Sequence, residues 1–324
     1  GFDPQLENQL TYTAYPASMA VAQRSPTARS LWDGQLGARL GGAIPYLLPA
    51  LAVFVLFAYY PLLRVLYLSF TDADLLRPPR WVGLENYQKM LLSREFLGSL
   101  SVTTAFALAV TALEVGVGMA LAFLMQAKTR FQSLLRGAIF APVVVSAVSA
   151  GLIWQYMMNP NGGPLNAGLQ AVGLPPLGWL THPETALASV ILISFWKGVG
   201  LPAVIYLAGL QAIPKELQEA ARVDGATAWQ VARRITIPLL APTTMVVLFL
   251  SLVGTFQSYG LILVLRTEGG PVGATNLLGY HIYQNAFQYF QMGYACAVSV
   301  FLFLLLAGLA WVQFRLSERR VHYQ

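Results

Sequence analysis

Six long apolar runs divide this chain, and they restrict its fold more than any other feature of the sequence. A helix needs about 20 apolar residues to cross a bilayer, and each run is long enough. Because only helices and closed barrels satisfy their backbone polar groups within lipid, we predict an all-α integral membrane protein. The six predicted spans are 44–66, 97–125, 137–158, 185–207, 243–265 and 292–314.

Composition excludes several other classes of protein. Hydrophobic residues make up 56% of the chain and charged residues only 10%, whereas globular domains carry about 25% charged residues. The net charge of +6 is spread along the predicted membrane edges, so it does not indicate a nucleic-acid site. The lone Cys296 excludes a disulfide framework and a cysteine metal site.

The distribution of Lys and Arg predicts the orientation in the membrane, since cytoplasmic loops carry an excess of both. We place both termini in the cytoplasm, because the basic residues are then mostly inside. The cytoplasmic set is Arg24, Arg29, Arg39, Lys128, Arg130, Arg136, Lys215, Arg222, Arg233, Arg234, Arg315, Arg319 and Arg320. The outer set is Arg77, Arg80, Lys89, Arg94 and Arg266.

These spans and loops predict the domain organisation. Residues 1–40 form a cytoplasmic segment, 41–314 a six-helix membrane domain and 315–324 a cytoplasmic tail. Met19 is a candidate for the native start, and residues 1–18 for a vector-derived extension. We predict no cleavable signal peptide and expect the first apolar run to remain as an anchor.

A polar loop, 212–238, joins the fourth and fifth spans on the cytoplasmic side. Pro214 suits the first turn of a helix over 215–224, and Gly225 lies where a left-handed residue ends a helix. Thr227 and Gln230 fit a capping box that begins a second helix. The loop is therefore predicted to be a helical hairpin.

The residues of this hairpin resemble the coupling loop of ABC-importer permeases. The motif is Glu219-Ala220-Ala221, then Gly225, then Ile235-Thr236-Ile237-Pro238. Ile237 replaces the usual Leu of the family. The resemblance implies that the hairpin docks in a groove of a separate ATPase, with Glu219 paired to a basic residue there. The implied coupling residues are Glu219, Ala220, Ala221, Asp224, Gly225, Ile235 and Pro238.

Other segments are similar to the maltose-type carbohydrate permeases, specifically the first of their two permease subunits. They are Ser69-Phe70-Thr71, Val82-Gly83-Leu84-Glu85-Asn86-Tyr87, Ala208-Gly209-Leu210-Gln211-Ala212-Ile213-Pro214, Gly269-Gly270-Pro271 and Met292-Gly293-Tyr294-Ala295. The resemblance implies a type I ABC importer permease in a prokaryotic inner membrane, surrounded by lipid. Its partners would be a second permease, two ABC ATPases that use ATP and Mg, and an extracytoplasmic solute-binding protein.

The resemblance also implies a solute path on the helices that flank the hairpin. Carried over by distance from Glu219, it comprises Ser194, Lys197, Gly198, Leu201, Ser251, Thr255 and Ser258. The first four residues and the last three each have helical spacing, so each set forms one stripe on its helix. Small hydroxyl groups suit a hydroxyl-rich solute. The alternative is that Ser and Thr merely line tight contacts between membrane helices.

Lys197 and Glu114 are ionisable residues inside predicted spans, where charge is costly unless it faces a polar interior. Lys197 has three possible roles: binding a solute anion or hydroxyl, pairing with Glu114, or extending to the membrane interface. An anion-binding role would favour a phosphorylated polyol or acidic sugar over a neutral sugar. For Glu114 we favour a structural role.

We expect no catalysis, no metal and no cofactor in this chain. It contains no phosphate-binding loop of the G-x-x-x-x-G-K-[ST] type, and His182, His281 and His322 are scattered. A DNA-binding helix-turn-helix is excluded because membrane spans tether both ends of the hairpin. Two alternatives remain: a carrier driven by an ion gradient, with broken helices and inward carboxylates, and a membrane scaffold without transport.

Overall fold

A computed structural model describes residues 46–74, 76–127, 129–265 and 273–320, with side chains as far as Arg315. Residues 1–40, including Met19, and the Gly269-Gly270-Pro271 turn lie outside these residues. The chain divides into two compact units, Gly1–Leu62 and Leu63–Gln324. In the first unit the described residues are helical from Tyr46 onward. The second unit contains all the clusters and sites described below.

The described backbone is almost entirely helical. An antiparallel bridge between Thr71 and Trp81 is isolated and forms no sheet. In chain order the helices are α1 (Tyr46–Leu68), α2 (Glu85–Leu92), α3 (Arg94–Leu124), α4 (Arg130–Val144), α5 (Ala147–Met157), α6 (Pro164–Ala171), α7 (Pro183–Gly198), α8 (Gly200–Ala212), α9 (Lys215–Val223), α10 (Ala228–Val231), α11 (Ala241–Phe256), α12 (Gly260–Leu265), α13 (Leu278–Tyr283) and α14 (Met292–Arg320). A three-residue helical turn lies at Ile237–Leu239, and π-helical turns lie at Val55–Tyr59, Ala232–Thr236 and Gln284–Gln288.

The membrane spans agree with the predicted fold class. Four segments of the described chain can cross a bilayer by length and apolarity: Tyr46–Leu68, Arg94–Leu124, Ala241–Leu265 and Met292–Arg315. Two bent helix pairs, α4 with α5 and α7 with α8, raise the number to six if each pair is one span. The third and fourth predicted spans are thus each formed by two helices that meet at a bend.

The third span breaks between α4 and α5, whose axes differ by 103°. Val145 is extended, with ψ at 134°, so the helical hydrogen bonds cannot continue through it. Ser146 then begins α5, because its hydroxyl accepts a hydrogen bond from the Ser149 N–H at 3.0 Å. The N-cap at Ser146 shows that a new helix begins directly after the break.

The fourth span bends by 45° between α7 and α8. Pro202 lies in the first turn of α8 and has no N–H to donate to the Gly198 carbonyl, four residues earlier. Gly118 of α3 accommodates the bent segment, since a Cβ at that glycine would lie 2.9 Å from the Pro202 side chain. The bend and the glycine together let α3 and α8 approach closely.

Two clusters of buried apolar side chains form the core of the second unit. One comprises Phe106, Val110, Met158, Val190, Ile193, Leu261, Ile262, Leu265, Leu277 and Tyr280. The other comprises Ala122, Met125, Ala203, Tyr206, Leu207, Leu210, Ile213, Leu240 and Val247. Both clusters draw on the second, fourth and fifth spans, and the second cluster includes residues of α8 and α11, the helices on either side of the hairpin.

Three of the family-like segments meet around Asn86, a residue only 6% exposed. Its side-chain amide donates hydrogen bonds to the carbonyls of Ser69 (2.9 Å) and Thr71 (2.8 Å). Gly293 packs so closely on the Thr71 carbonyl that any Cβ would overlap it. The Ser69 hydroxyl also lies 2.8 Å from the Tyr87 hydroxyl. The motifs around Ser69, Asn86 and Gly293 thus build one polar joint.

The segment just after α1 is held by local hydrogen bonds. The Asp74 carboxylate accepts hydrogen bonds from the backbone N–H groups of Arg77 (2.8 Å) and Leu76 (3.0 Å). These bonds, led by that from Arg77, hold the pKa of Asp74 below its ordinary value. The described side chains form two ion pairs, Arg77–Asp74 and Lys89–Glu85, and both lie in this region.

Candidate functional site

The polar loop between α8 and α11 is a helical hairpin, as predicted. Its first helix ends at Val223, and Gly225 follows in the left-handed region with φ at +82°. The Gly225 N–H donates to the Arg222 carbonyl at 3.0 Å, and the Ala226 N–H donates to the Ala221 carbonyl at 2.9 Å. This pair of hydrogen bonds is a Schellman motif. It confirms the predicted helix end at Gly225.

The second helix of the hairpin begins with the predicted capping box. The Gln230 N–H donates to the Thr227 hydroxyl at 3.3 Å, and the Thr227 N–H donates to the Gln230 side chain at 2.7 Å. One detail of the first helix is wrong in the prediction. Pro214 precedes the first helical residue, with ψ at 131°, and is not within the first turn.

The hairpin presents most of its surface outward. Of the predicted coupling residues, Glu219, Ala220, Asp224, Gly225 and Pro238 are exposed, and Ala221 and Ile235 are partly buried. The sequence also predicts one apolar side for the hairpin, and of its residues only Val231 is buried; the full set is Leu217, Ala220, Ala221, Ala228, Val231 and Ile235. Val223 and Trp229 are 87% and 68% exposed. The described part of the chain therefore leaves an apolar surface uncovered beside the Glu219 motif.

All seven residues predicted for the solute path line one cavity of about 410 Å³. Lys197, Gly198 and Leu201 lie at the break between α7 and α8, which turns them toward the cavity. The full lining is Phe106, Val110, Glu114, Val143, Ala147, Ser194, Lys197, Gly198, Leu201, Pro202, Ile205, Val247, Leu250, Ser251, Gly254, Thr255, Gln257, Ser258, Tyr259, Gly260 and Leu261. The lining includes members of both buried apolar clusters, such as Val110 and Val247.

The predicted stripe on the fifth span needs a correction. Ser251 and Thr255 lie on α11, but that helix ends at Phe256, so Ser258 lies in the short break before α12. Gln257, one residue off the stripe in the sequence, lines the cavity as well.

The hydroxyl groups of the cavity differ in their hydrogen bonding. The Thr255 hydroxyl donates to backbone carbonyls of its own helix, with Ser251 at 2.9 Å and Leu252 at 3.0 Å as the acceptors. The Ser194 hydroxyl is buried and has no protein partner. Thr255 can therefore only accept a hydrogen bond from a solute, whereas Ser194 can donate or accept one.

Glu114 lies in the cavity, although the sequence favoured a structural role for it and the predicted solute path did not include it. It is 6% exposed, lies on α3 and lines the same cavity as Lys197. The predicted alternative of a Lys197–Glu114 ion pair is wrong, because the two charged groups are not within 4.0 Å in the described structure. The signal was present in the sequence, since Glu114 is an acid deep inside an apolar span.

No three His, Cys, Asp or Glu side chains in the described ranges come together as metal ligands. Cys296 is buried and has no disulfide partner. The cavity and the hairpin are thus the two places where the predicted functional residues gather.

Comparison with known proteins adds independent evidence. Residues 114–322 match the family model described as the binding-protein-dependent transport system inner membrane component. A probable ABC transporter permease, YesP of Bacillus subtilis, is 32% identical, covering 86% of this chain and 91% of its own length.

The names of two further relatives mention a solute. The sn-glycerol-3-phosphate permease protein UgpA of Agrobacterium fabrum is 34% identical, covering 86% of this chain and 96% of its own length. The trehalose/maltose permease protein MalF of Thermococcus litoralis is 31% identical, covering 85% and 92%.

Among solved structures, one chain of a bacterial ABC transporter involved in alginate import aligns with a TM-score of 0.78. The alignment covers 90% of this chain and 100% of that chain, at 23% identity. At this level of identity the match shows a shared fold.

Proposed function

The chain belongs to the family of binding-protein-dependent transport system inner membrane components, and from this we propose that it passes a sugar or related polyol across the inner membrane. As a multi-pass permease subunit it contributes the path and not the ATPase. ATP and Mg act on two separate ATPase subunits, while a second permease completes the path. An extracytoplasmic binding protein delivers the solute.

One observation carries this proposal: the helices that line the cavity are the helices that lead into the hairpin. α8 ends at Ala212, three residues before the hairpin begins at Lys215, and α11 starts at Ala241 just after it. Both also contribute to the buried cluster around Tyr206 and Val247. Because packed helices move as rigid bodies between discrete arrangements, a displacement of the hairpin is transmitted to the cavity walls.

The outward surface of the hairpin supports the docking role of the coupling residues. Glu219 is exposed and free to meet a basic partner, and small Ala220 and Ala221 allow close approach of another chain. Val223 and Trp229 add exposed apolar area beside them. Such an apolar patch with a polar surround is typical of a protein interface.

A carrier driven by an ion gradient is the competing function, and two observations favour it. The third and fourth spans are broken, and Glu114 is a carboxylate that lines the cavity. Broken helices are tolerated wherever freed backbone groups are satisfied within protein, so they do not by themselves indicate a gradient-driven carrier. Uptake that needs ATP and survives collapse of the ion gradient would contradict this alternative.

The first test is mass spectrometry of the intact complex, purified in mild detergent from the native host. We expect one copy of this chain, one different permease and two ATPase chains. The complex is purified through an affinity tag on this chain, and the same purification from a strain that lacks the tag is the control for contaminants. A stable assembly that contains no ATPase would contradict the proposal and favour the gradient-driven carrier.

A further inference from the structure

Glu114 is the acidic side chain that the described spans place within the cavity. The carboxyl group is buried on α3, and Ser251 of α11 lines the same cavity beside it. No Lys or Arg lies within ion-pair distance of it in the described structure. A buried carboxylate beside one hydroxyl group keeps most of its acceptor sites open. These sites remain available to a group that enters the cavity.

Gly198 makes room for this carboxyl group. A Cβ at Gly198 would overlap Glu114 Oε1 and lie 3.1 Å from Glu114 Cδ. Any other residue at this position would therefore push the carboxylate out of its place. The glycine belongs to the predicted solute path, so the path and the Glu114 carboxylate share one wall.

Lys197 supplies the complementary charge in the same cavity. It neighbours Gly198 in sequence, and it is the one basic residue among the lining residues, as Glu114 is the one acidic residue. The two side chains are separated by more than an ion-pair distance. The cavity thus offers one acidic side chain, one basic side chain and the hydroxyl groups of Ser194 and Ser251.

We propose that Glu114 is a solute-recognising residue that selects neutral, hydroxyl-rich solutes. Its carboxylate accepts hydrogen bonds from solute hydroxyls, while Lys197 donates to neighbouring solute oxygens. Each sugar hydroxyl both donates and accepts, so a neutral polyol satisfies both side chains at once. This inference rests on the proposed function and narrows its solute class.

The same carboxylate disfavours anionic solutes. A phosphate or carboxylate that enters to meet Lys197 must also approach Glu114, and like charges repel strongly where water is excluded. Lys197 alone would have favoured a phosphorylated polyol or an acidic sugar. Glu114 reverses that preference, because it cancels the positive charge of the cavity.

The test uses the whole complex in proteoliposomes with its binding protein, and counts solute molecules imported per ATP hydrolysed. The neutral probes are labelled maltose, trehalose and glycerol, and the anionic probes are sn-glycerol 3-phosphate and glucuronate. We expect the wild type to import a neutral probe and neither anion. Glu114→Gln should lower import per ATP about tenfold, while ATP hydrolysis stimulated by the binding protein stays unchanged.

Two further variants complete the design. Glu95→Gln is the matched control, because Glu95 lies on the same helix, is exposed and does not line the cavity. Gly198→Ala should lower import per ATP as Glu114→Gln does, because the added methyl group displaces the carboxylate. This variant provides the test if the Glu114→Gln protein fails to insert into the membrane.

The outcomes separate this inference from the proposed function. ATP-driven import of an anionic probe by the wild type, or unchanged coupling in both cavity variants, would overturn the role of Glu114 and leave the importer intact. A purified assembly that contains no ATPase would overturn the proposed function and this inference with it.

Discussion

Gly225 is the residue on which the shape of the hairpin depends. Its φ of +82° is a conformation that residues with a side chain rarely adopt, and a Cβ there would meet nothing within 4 Å. A substitution therefore acts through backbone strain and through whatever docks on the hairpin. It does not disturb packing within this chain.

We predict that Gly225→Asp abolishes ATP-driven uptake while membrane insertion stays normal. The left-handed conformation costs a residue with a Cβ roughly 1 kcal/mol, which deforms the turn, and the added carboxylate crowds the docking surface. Uptake and the amount of protein in the membrane are measured in the same cells. Normal uptake at normal expression would contradict the coupling role.

Gly173→Asp is the matched control for this experiment. Gly173 has φ at +77° and open space around its Cβ, and it ends α6. Its N–H and that of Leu174 donate to the carbonyls of Gln170 and Leu169 in the same Schellman pattern. The backbone strain is therefore the same, but it lies outside the hairpin, so uptake should persist.

At the scale of elements, Asn86 joins the end of α1 to α2 through hydrogen bonds to two backbone carbonyls. Asn86→Ala leaves the Ser69 and Thr71 carbonyls buried without donors. Unsatisfied buried groups cost about 1 to 3 kcal/mol each. We predict a loss of stability of about 2 to 4 kcal/mol, seen as a lower midpoint of thermal unfolding in detergent.

Gln88→Ala on the same helix is the control, because Gln88 is exposed. Its midpoint should stay close to that of the wild type. If both variants unfold at the wild-type temperature, the Asn86 joint contributes nothing to stability. Equal losses in both would show that α2 tolerates no alanine substitution, and would remove the specific role of Asn86.

Elements whose ends depend on local chemistry were predictable from sequence. The hairpin was predicted correctly because Gly225 and the Thr227–Gln230 pair act within a few residues of each other. The breaks at Val145 and Val199 were missed, although Pro142 and Pro202 lie close to them. A proline can also lie in an unbroken span, so the bend depends on the helices packed against it.

At the scale of the whole molecule, the distribution of Lys and Arg predicts which side of the membrane each loop faces. Val223 of the hairpin and Val172 at the end of α6 are both highly exposed, at 87% and 71%. They are therefore similarly accessible in the purified protein, and differ in the compartment that each is predicted to face.

We predict that a membrane-impermeant maleimide labels Val172→Cys in intact cells, and labels Val223→Cys only after permeabilisation. Both substitutions are made in a Cys296→Ala background, since Cys296 is the only native cysteine. The background protein alone is the control and should remain unlabelled. The reverse labelling pattern would place the hairpin outside and contradict the predicted orientation.

The candidate site was only partly visible in the sequence. All seven residues that the family resemblance implied, carried over by distance from Glu219, line the cavity. Glu114 lies in another span, and nothing in the sequence relates its register to that of Gly198. The fit between its carboxyl group and that glycine exists only once α3 and α7 are packed together.

Apolar length and interactions between near neighbours in the sequence predict the class of fold and the helical hairpin. The bends in two spans, the side chains that share the cavity and the lack of a Lys197–Glu114 ion pair are evident only in the folded chain. These features depend on contacts between residues far apart in the chain. Such contacts are set by the packing of side chains in the folded protein, which the local secondary-structure propensity of a segment does not determine.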